Sequence, residues 1–278
     1  MNEEYWKNSP FGENSIFHPD YDKKIIEDRA ARAARKAEAA KKSAEVQNSI
    51  ATPTTSGETE AIYYYNLSGV MVKSVPNASN LIVIVFTTSN NETDMLTAIK
   101  NNKTINLPSQ EVMDKTNKII ELTDDYDYEH GFVVATDGTT STIEEGYGQS
   151  VPFDPGYDEL QRAGKTTSFD VHTHNENIKR NTDKTIHSAN DYNPSGIAGN
   201  KPTGDYYNRS LQEAEGDVKQ PSWVIGTNTI VNGAENKKPV KIITFYNSKG
   251  QVHQMNWNIF QTLINNITID FMFRKVTK

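Results

Sequence analysis

The stretch FDVHTH at positions 169–174 decides how this chain can be interpreted, because it ends a short apolar segment with two histidines one residue apart. On a β-strand, successive side chains point to opposite faces, so His172 and His174 share a face and can present two imidazoles to one metal ion. The competing interpretation is a pair of surface histidines beside a turn. The pair therefore predicts a metal site that needs further ligands elsewhere in the chain.

Those further ligands have to be histidines or carboxylates, because the chain contains no cysteine. A hydrolytic zinc site uses about three protein ligands and leaves one position for water. The downstream carboxylates within reach are Asp183, Asp191 and Asp205, whereas Asp170 and His187 are weaker ligand candidates. Asp170 should share the face of His172 and could instead orient its imidazole. The third ligand stays open at this point.

A hydrolytic site also needs a general base that takes a proton from the metal-bound water. Glu129 stands at the start of a segment with the apolar pattern of a buried strand, EHGFVV at 129–134. Glu144 and Glu145 compete for this role, since they lie nearer to the histidines in sequence. The apolar strand that follows Glu129 makes it the preferred base.

Composition excludes several other classes of protein. The chain has 278 residues, of which 35% are hydrophobic, and a formal net charge of -7. Its mean hydropathy is -0.69, and no apolar run approaches the roughly 18 residues of a membrane helix, so no membrane span is expected. The negative charge argues against general nucleic-acid binding, which needs clustered Lys and Arg. Without cysteine, either redox compartment is tolerated.

The N-terminal part differs from the rest of the chain. Residues 1–20 lack the charged start and apolar core of a signal peptide, which predicts a cytoplasmic protein or export without a cleaved signal. Residues 22–46 are rich in Ala, Lys, Arg and Glu without a core-forming stripe, and they predict an exposed helical arm. A polar linker follows at 52–60. We therefore expect an N-terminal segment at 1–60 and a folded domain at 61–278.

Within that domain, hydrophobic periodicity predicts alternating helices and strands. The expected strands are a hairpin at 61–76 and segments at 81–87, 129–134, 169–174, 221–226 and 240–246, with a hairpin turn at 247–250; the expected helices are 108–122, 205–215 and 257–267. An acidic turn is expected at Asp124, Asp125 and Asp127. The order predicts an α/β fold, with a mixed sheet flanked by helices.

In the order and type of its motifs the chain resembles the JAB/MPN/JAMM metallopeptidases. In that family a glutamate opens one strand, His-x-His ends another and Ser-x-x-Asp follows, and Glu129, the pair at 172–174 and SAND at 188–191 are similar to these motifs. The resemblance covers roughly 61–267. It implies a JAB/MPN-like fold and a zinc ion held by His172, His174 and an aspartate. Glu129 would be the base, and the hydroxyl of Ser188 would help to bind the oxyanion.

The third ligand departs from the family pattern. The gap between His174 and Ser188 is longer than usual, and Asp191 is followed by NPSG at 193–196, which blocks a helix. Family members place this aspartate at a helix start. Asp205 opens a plausible helix but lacks a serine three residues earlier. Both aspartates therefore remain candidates, and helix geometry favours Asp205.

Within this family, the chain looks most similar to the JAB-like toxin domain of bacterial polymorphic toxins, which has a similar DVHTH stretch and a later strand similar to PSWV at 221–224. This resemblance implies a secreted bacterial effector that hydrolyses a peptide or isopeptide bond with metal-activated water. It also implies a protein substrate, a cognate immunity protein and a secretion-system carrier. The alternative is a non-catalytic adaptor or structural component of a secretion or phage-like apparatus, which docks through the helical arm.

Overall fold

The fold is described from a computed structural model of the chain. It describes residues 60–126, 128–146, 151–174, 192–199, 203–216, 218–228 and 240–276, together with the backbone of 178–180 and 186–188. The predicted helical arm at 22–46 and the linker at 52–59 lie outside these residues. The predictions for both segments therefore remain predictions.

A six-stranded mixed sheet forms the centre of the domain. In sheet order, its strands are β12 (Gly250–Asn256), β11 (Val240–Asn247), β10 (Ser222–Asn228), β7 (Thr167–Thr173), β5 (His130–Ala135) and β6 (Glu144–Glu145). Only β7 and β10 are parallel, and the other neighbours pair antiparallel. Strand β7, which carries the first histidine, is therefore hydrogen-bonded on both sides.

A second, four-stranded sheet precedes the central sheet in the chain. Its order is β2 (Met71–Pro76), β1 (Ala61–Tyr65), β3 (Leu81–Val85) and β4 (Thr104–Asn106), with β1 and β3 parallel. The hairpin between β1 and β2 turns at Gly69, whose φ of 73° suits a residue without a side chain. A separate pair of short strands is formed by β8 (Ile178–Arg180) and β9 (Ile186–Ser188).

Five helices lie in the described part of the chain: α1 (Glu92–Lys100), α2 (Gln110–Tyr126), α3 (Asp154–Arg162), α4 (Gly204–Glu215) and α5 (Trp257–Val276). Within that part, no helix combines the length and the apolar character that a membrane crossing requires. The architecture is α/β with mixed sheets flanked by helices, as the sequence predicts.

The two faces of the central sheet pack against different helices. Phe132, Val171 and Trp223 belong to the main core, together with buried side chains of α2, α5 and the second sheet. The alternate residues Val133 and Val224 belong to smaller clusters with side chains of α3 and α4, respectively. His172 follows Val171 on β7 and therefore points to the side covered by α3 and α4.

The predicted strands and helices are found at nearly the expected positions, but the expected acidic turn is wrong for Asp124 and Asp125, because α2 continues to Tyr126. Tertiary contacts hold this last turn of the helix. Asp124 pairs with Lys241 of β11, and the buried hydroxyl of Thr123 is hydrogen-bonded to Thr173 of β7. The helices α1 and α3 were not predicted from the sequence.

Candidate metal centre

The two histidines of the FDVHTH stretch are not on the surface. The His172 side chain is only 3% exposed and that of His174 is 10% exposed. His172 is the penultimate residue of β7, and the backbone N–H of His174 donates to the carbonyl of Ile225 on β10 at 2.9 Å. Strand pairing therefore fixes the backbone of both histidines, both side chains are largely buried, and the interpretation as a surface pair beside a turn is wrong.

Asp205 is the carboxylate that meets the two imidazoles. It lies in the first turn of α4, where the positive end of the helix dipole favours a negative charge. Its Oδ2 accepts a hydrogen bond from the backbone N–H of Ser195 at 2.7 Å, and its own N–H donates to the Ser195 hydroxyl at 3.2 Å. These two bonds fix the backbone and the carboxylate of Asp205 against the loop that precedes the helix.

Two glycines make this arrangement sterically possible. A Cβ on Gly196 would lie 2.1 Å from the carbonyl oxygen of Thr203, and a Cβ on Gly204 would lie 2.6 Å from that of Ser195. Both glycines also have positive φ values, of 90° and 57°. The loop can therefore cross the start of α4 only because neither position carries a side chain.

Three ligand atoms converge at the end of β7. His172 Nε2 lies 3.2 Å from His174 Nε2, and Asp205 Oδ2 lies 3.5 Å and 3.4 Å from these two nitrogens. Zinc–nitrogen and zinc–oxygen bonds of about 2.0–2.2 Å in a tetrahedral site place the ligand atoms about 3.3–3.6 Å apart. The residues present fit a tetrahedral metal ion, and the group His172, His174 and Asp205 could hold one.

Electrostatics also favour a cation at this point. Burial alone would raise the pKa of Asp205, but the charge of His172 and hydrogen bonds with both histidines hold that pKa well below its usual range. Burial lowers the pKa of the His172 imidazole, but the carboxylates of Asp205, Glu129 and Asp170 outweigh it and leave that pKa raised. The centre thus combines negative charge with donor atoms that face each other.

Glu129 lies beside this centre. It immediately precedes β5, whose Gly131 pairs with His172 on β7, and continuing this antiparallel register places Glu129 opposite His174. The residue is 4% exposed, and its charge is among those that raise the pKa of His172. The structure therefore brings the predicted base to the predicted ligand pair.

The competing bases are placed less favourably. Glu144 and Glu145 form the short edge strand β6, which is separated from the histidine strand by β5. Burial and the charge of Glu159 raise the pKa of Glu144, whereas Glu145 is exposed. The carboxylates that act most strongly on His172 are instead Asp205, Glu129 and Asp170.

A network of buried hydrogen bonds supports β7, the strand that carries His172. Asp170 Oδ2 accepts hydrogen bonds from the hydroxyl of Tyr157 at 3.0 Å and from that of Ser222 at 2.8 Å. Arg209 of α4 donates to the Ser222 oxygen at 2.6 Å and to the carbonyl of Gln220 at 2.5 Å. The network joins α3, β7, β10 and α4, and it fixes α4, which carries Asp205, on the sheet.

Sequence reasoning missed most of this network. Tyr157, Arg209 and Ser222 carry no motif, and their partners lie on other elements of the fold. Ser195 was missed as well. It belongs to the NPSG segment at 193–196, and the short distance in sequence between this segment and the start of α4 was a usable signal. Asp170 was correctly expected on the face of His172, but its hydrogen bonds run to Tyr157 and Ser222 rather than directly to the imidazole.

For the remaining predicted residues, the structure describes either the backbone alone or nothing. Asp183 and Asp191 lie outside the described residues. Ser188 and His187 are in β9, of which only the backbone is described. Of the two aspartates that the sequence left open, Asp205 lies with the histidines, and Asp191 is not among the described residues.

No known protein family, no curated protein and no solved structure matches this chain.

Proposed function

We propose that this protein is a zinc-dependent hydrolase of peptide or isopeptide bonds, a metallopeptidase of the JAMM type. The observation that carries the proposal is the convergence of His172 Nε2, His174 Nε2 and Asp205 Oδ2 at mutual distances of 3.2–3.5 Å. A buried glutamate, Glu129, accompanies them. Two imidazoles, one carboxylate and a nearby acid form the donor set and base of many hydrolytic zinc sites.

The choice of zinc follows from the ligand types. Imidazole suits zinc and several other transition metals, whereas magnesium and calcium prefer sites built from oxygen atoms only. The three ligands found among the described residues correspond to a catalytic site rather than to a structural site, which has four. Zinc in such a site acts as a Lewis acid that activates water and polarises a carbonyl group.

Glu129 has the position expected of the general base. In this proposal its carboxylate takes a proton from the attacking water and later gives it to the leaving amine. Because the residue is buried beside the histidine strand, its proton transfers are shielded from bulk solvent. No side chain acts as a covalent nucleophile in this scheme, so neither Ser188 nor Ser195 has to form an ester with the substrate.

A hydroxyl that stabilises the oxyanion completes the proposed machinery. Ser188 is proposed for this role because SAND at 188–191 resembles the Ser-x-x-Asp motif of the family. Ser195 is a second candidate, since its backbone N–H and hydroxyl are both bonded to Asp205. The Ser195 hydroxyl accepts the N–H of Asp205, which leaves its own proton for another partner.

The biological setting is proposed from the resemblance to JAB-like toxin domains. It would make the protein a secreted bacterial effector with a protein substrate, a carrier and a cognate immunity protein. The immunity protein would cover the cleft around His172. The alternative is a non-catalytic adaptor that keeps the fold without the chemistry.

Zinc analysis and peptidase assays of the full chain test the proposal. We expect one zinc per chain in the wild type and none in the double variant His172→Ala/His174→Ala. The matched control is His253→Gln, because His253 stacks on Phe86 in another part of the domain. If the double variant retains zinc at the wild-type level, the assignment of the site is wrong.

Activity is measured by mass spectrometry on a mixed peptide library and on isopeptide-linked peptides. Glu129→Gln should keep its zinc and lose activity by about 10²–10⁴-fold, the usual contribution of a general base. Stoichiometric zinc in a wild type that cleaves no peptide or isopeptide would instead favour the adaptor.

A further inference from the structure

A small polar cavity lies under the metal centre, between α4 and the central sheet. Its polar lining includes Asp170, His172, Asp205, Arg209, Gln212 and Tyr246. Among the described residues, three buried polar atoms of this lining have no hydrogen-bond partner: Asp170 Oδ1, His172 Nδ1 and Gln212 Oε1. Unpartnered buried polar atoms are few in folded proteins, because each carries the full desolvation cost of its group. Three of them around one cavity point to a shared hydrogen-bond partner.

We propose that this cavity holds an ordered water molecule that joins His172 to Asp170. The water would accept a hydrogen bond from His172 Nδ1–H and donate its two protons to Asp170 Oδ1 and Gln212 Oε1. One donor and two acceptors are thereby satisfied at once, which matches the two to four bonds that a buried water makes. The space available is about that of a single water.

The charges around the cavity favour a neutral ligand over a second cation. The guanidinium of Arg209 is part of the lining and is buried, with one amino group 2.6 Å from Ser222 Oγ. This positive charge offsets part of the negative charge of Asp170 and Asp205, and a cation would leave the donor His172 Nδ1–H without an acceptor. An anion is disfavoured by the unpartnered oxygens of Asp170 and Gln212. A small neutral molecule with both donors and acceptors satisfies all of these groups.

The inference rests on the proposed metal site and deepens it. If His172 binds a metal through Nε2, its neutral ring carries the remaining proton on Nδ1. Metal-bound histidines usually donate this proton to a carboxylate, a carbonyl or a water, which fixes the ring and raises its basicity. Here the chain His172, water, Asp170 would supply that partner. Asp170 is then a positioning residue that acts on the metal through His172.

The substitution Asp170→Asn separates this role from simple packing. Oδ2 accepts two hydrogen bonds, from Tyr157 and Ser222, so the amide oxygen should keep that position. The amide nitrogen then replaces Oδ1 and turns the acceptor in the cavity into a donor. The shape is conserved, while the negative charge and the acceptor facing the water are lost.

Three measurements on the full chain test the proposal. A high-resolution crystal structure of the zinc-loaded wild type should contain a water within hydrogen-bond distance of His172 Nδ1, Asp170 Oδ1 and Gln212 Oε1. In chelator competition, Asp170→Asn should weaken zinc binding by about 10–100-fold. The visible spectrum of the cobalt-substituted variant should also shift, since the basicity of one ligand has changed.

The control is Thr116→Val, which removes a buried hydroxyl that donates to the carbonyl of Val112 within α2 and is not part of the cavity lining. It should lower thermal stability and leave zinc affinity and the cobalt spectrum unchanged. The proposal is overturned if the cavity holds no water in the crystal structure, or if Asp170→Asn binds zinc as tightly as the wild type. A wild type that binds no zinc contradicts the proposed function instead, and the crystal structure of that protein still reports whether the water is present.

Discussion

Gly131 on β5 lies directly opposite His172 on β7. A Cβ added to Gly131 would lie 2.8 Å from the ring of Phe153, 2.8 Å from the carbonyl oxygen of Val171 and 3.0 Å from Val151. The carbonyl belongs to the strand that carries His172, so it cannot move without disturbing that ligand. The absence of a side chain at position 131 is therefore part of how the site is built.

We expect Gly131→Ala to destabilise the domain by about 1–3 kcal/mol, the usual cost of overpacking, and to weaken zinc binding. Urea unfolding and chelator competition measure the two effects. The control is Gly164→Ala, where an added Cβ meets no atom within 4 Å and only the positive φ of 72° is unfavourable. It should lose some stability and keep its zinc affinity. Wild-type zinc binding by Gly131→Ala would show that the close contact is unimportant for the site.

A second pair of variants tests which aspartate, Asp191 or Asp205, is the third metal ligand. Asp205→Asn removes the negative ligand and should weaken zinc binding by more than about 100-fold, since even outer partners of a metal site cost 10–100-fold. Asp191→Asn should bind zinc like the wild type. Isothermal titration with zinc measures both variants. The opposite result would move the third ligand to Asp191.

The central strands and the histidine pair could be predicted because their signals are local. Continuous apolar runs mark β3, β5 and β11. Strand geometry alone predicts that His172 and His174, two positions apart, share one face. The start of α4 near Asp205 could also be predicted, because helix-breaking residues precede it in the sequence. Helix α3 was missed, because its buried residues Tyr157 and Leu160 are too few to give a clear periodic pattern.

The partners of the site could not be predicted because they are set by packing of distant segments. Ser195 reaches Asp205 only because Gly196 and Gly204 let two backbones cross closely. Arg209 reads as an ordinary charged residue of an amphipathic helix, yet it is 4% exposed and bonded to Ser222 of β10. Such contacts depend on how α4 lies on the sheet, which no local pattern records.

Arg209 provides a prediction about stability. Its guanidinium donates to Ser222 Oγ, to the carbonyl of Gln220 and to Glu213, the last at 2.9 Å. Arg209→Met keeps much of the volume but leaves these acceptors without their donor, so we expect a loss of about 3–5 kcal/mol in the free energy of unfolding. Urea unfolding measures it.

The control for this prediction is an exposed arginine that, like Arg209, pairs with an acidic residue four positions away on the same helix. Arg162 on α3 pairs with Asp158 at 3.4 Å, and its side chain is 68% exposed. Arg162→Met should change the free energy of unfolding by less than about 0.5 kcal/mol, as for most exposed ion pairs. Equal effects of the two substitutions would mean that the buried network contributes no more than a surface pair.

The neighbouring Glu213 makes stability depend on pH. Burial alone would raise the pKa of Glu213, but hydrogen bonds from the Ser248 hydroxyl and backbone N–H, together with Arg209, lower it. A carboxylate with a lowered pKa in the folded state binds fewer protons than in the unfolded chain, so it stabilises the fold above the pKa of an unfolded glutamate. This contribution is lost as the pH falls through the lower pKa of the folded state.

Glu213→Gln should therefore reduce stability near pH 7 and flatten its decline on acidification. We expect a loss of about 1–3 kcal/mol near neutrality, the value of hydrogen bonds to a charged group, and convergence of variant and wild type in acid. Urea unfolding between pH 7 and pH 3 measures both curves. Ser248→Ala removes one of the bonds that lower the pKa and should give an intermediate curve. Parallel curves for wild type and Glu213→Gln would contradict this account, because the difference between them has to shrink as the carboxylate becomes protonated.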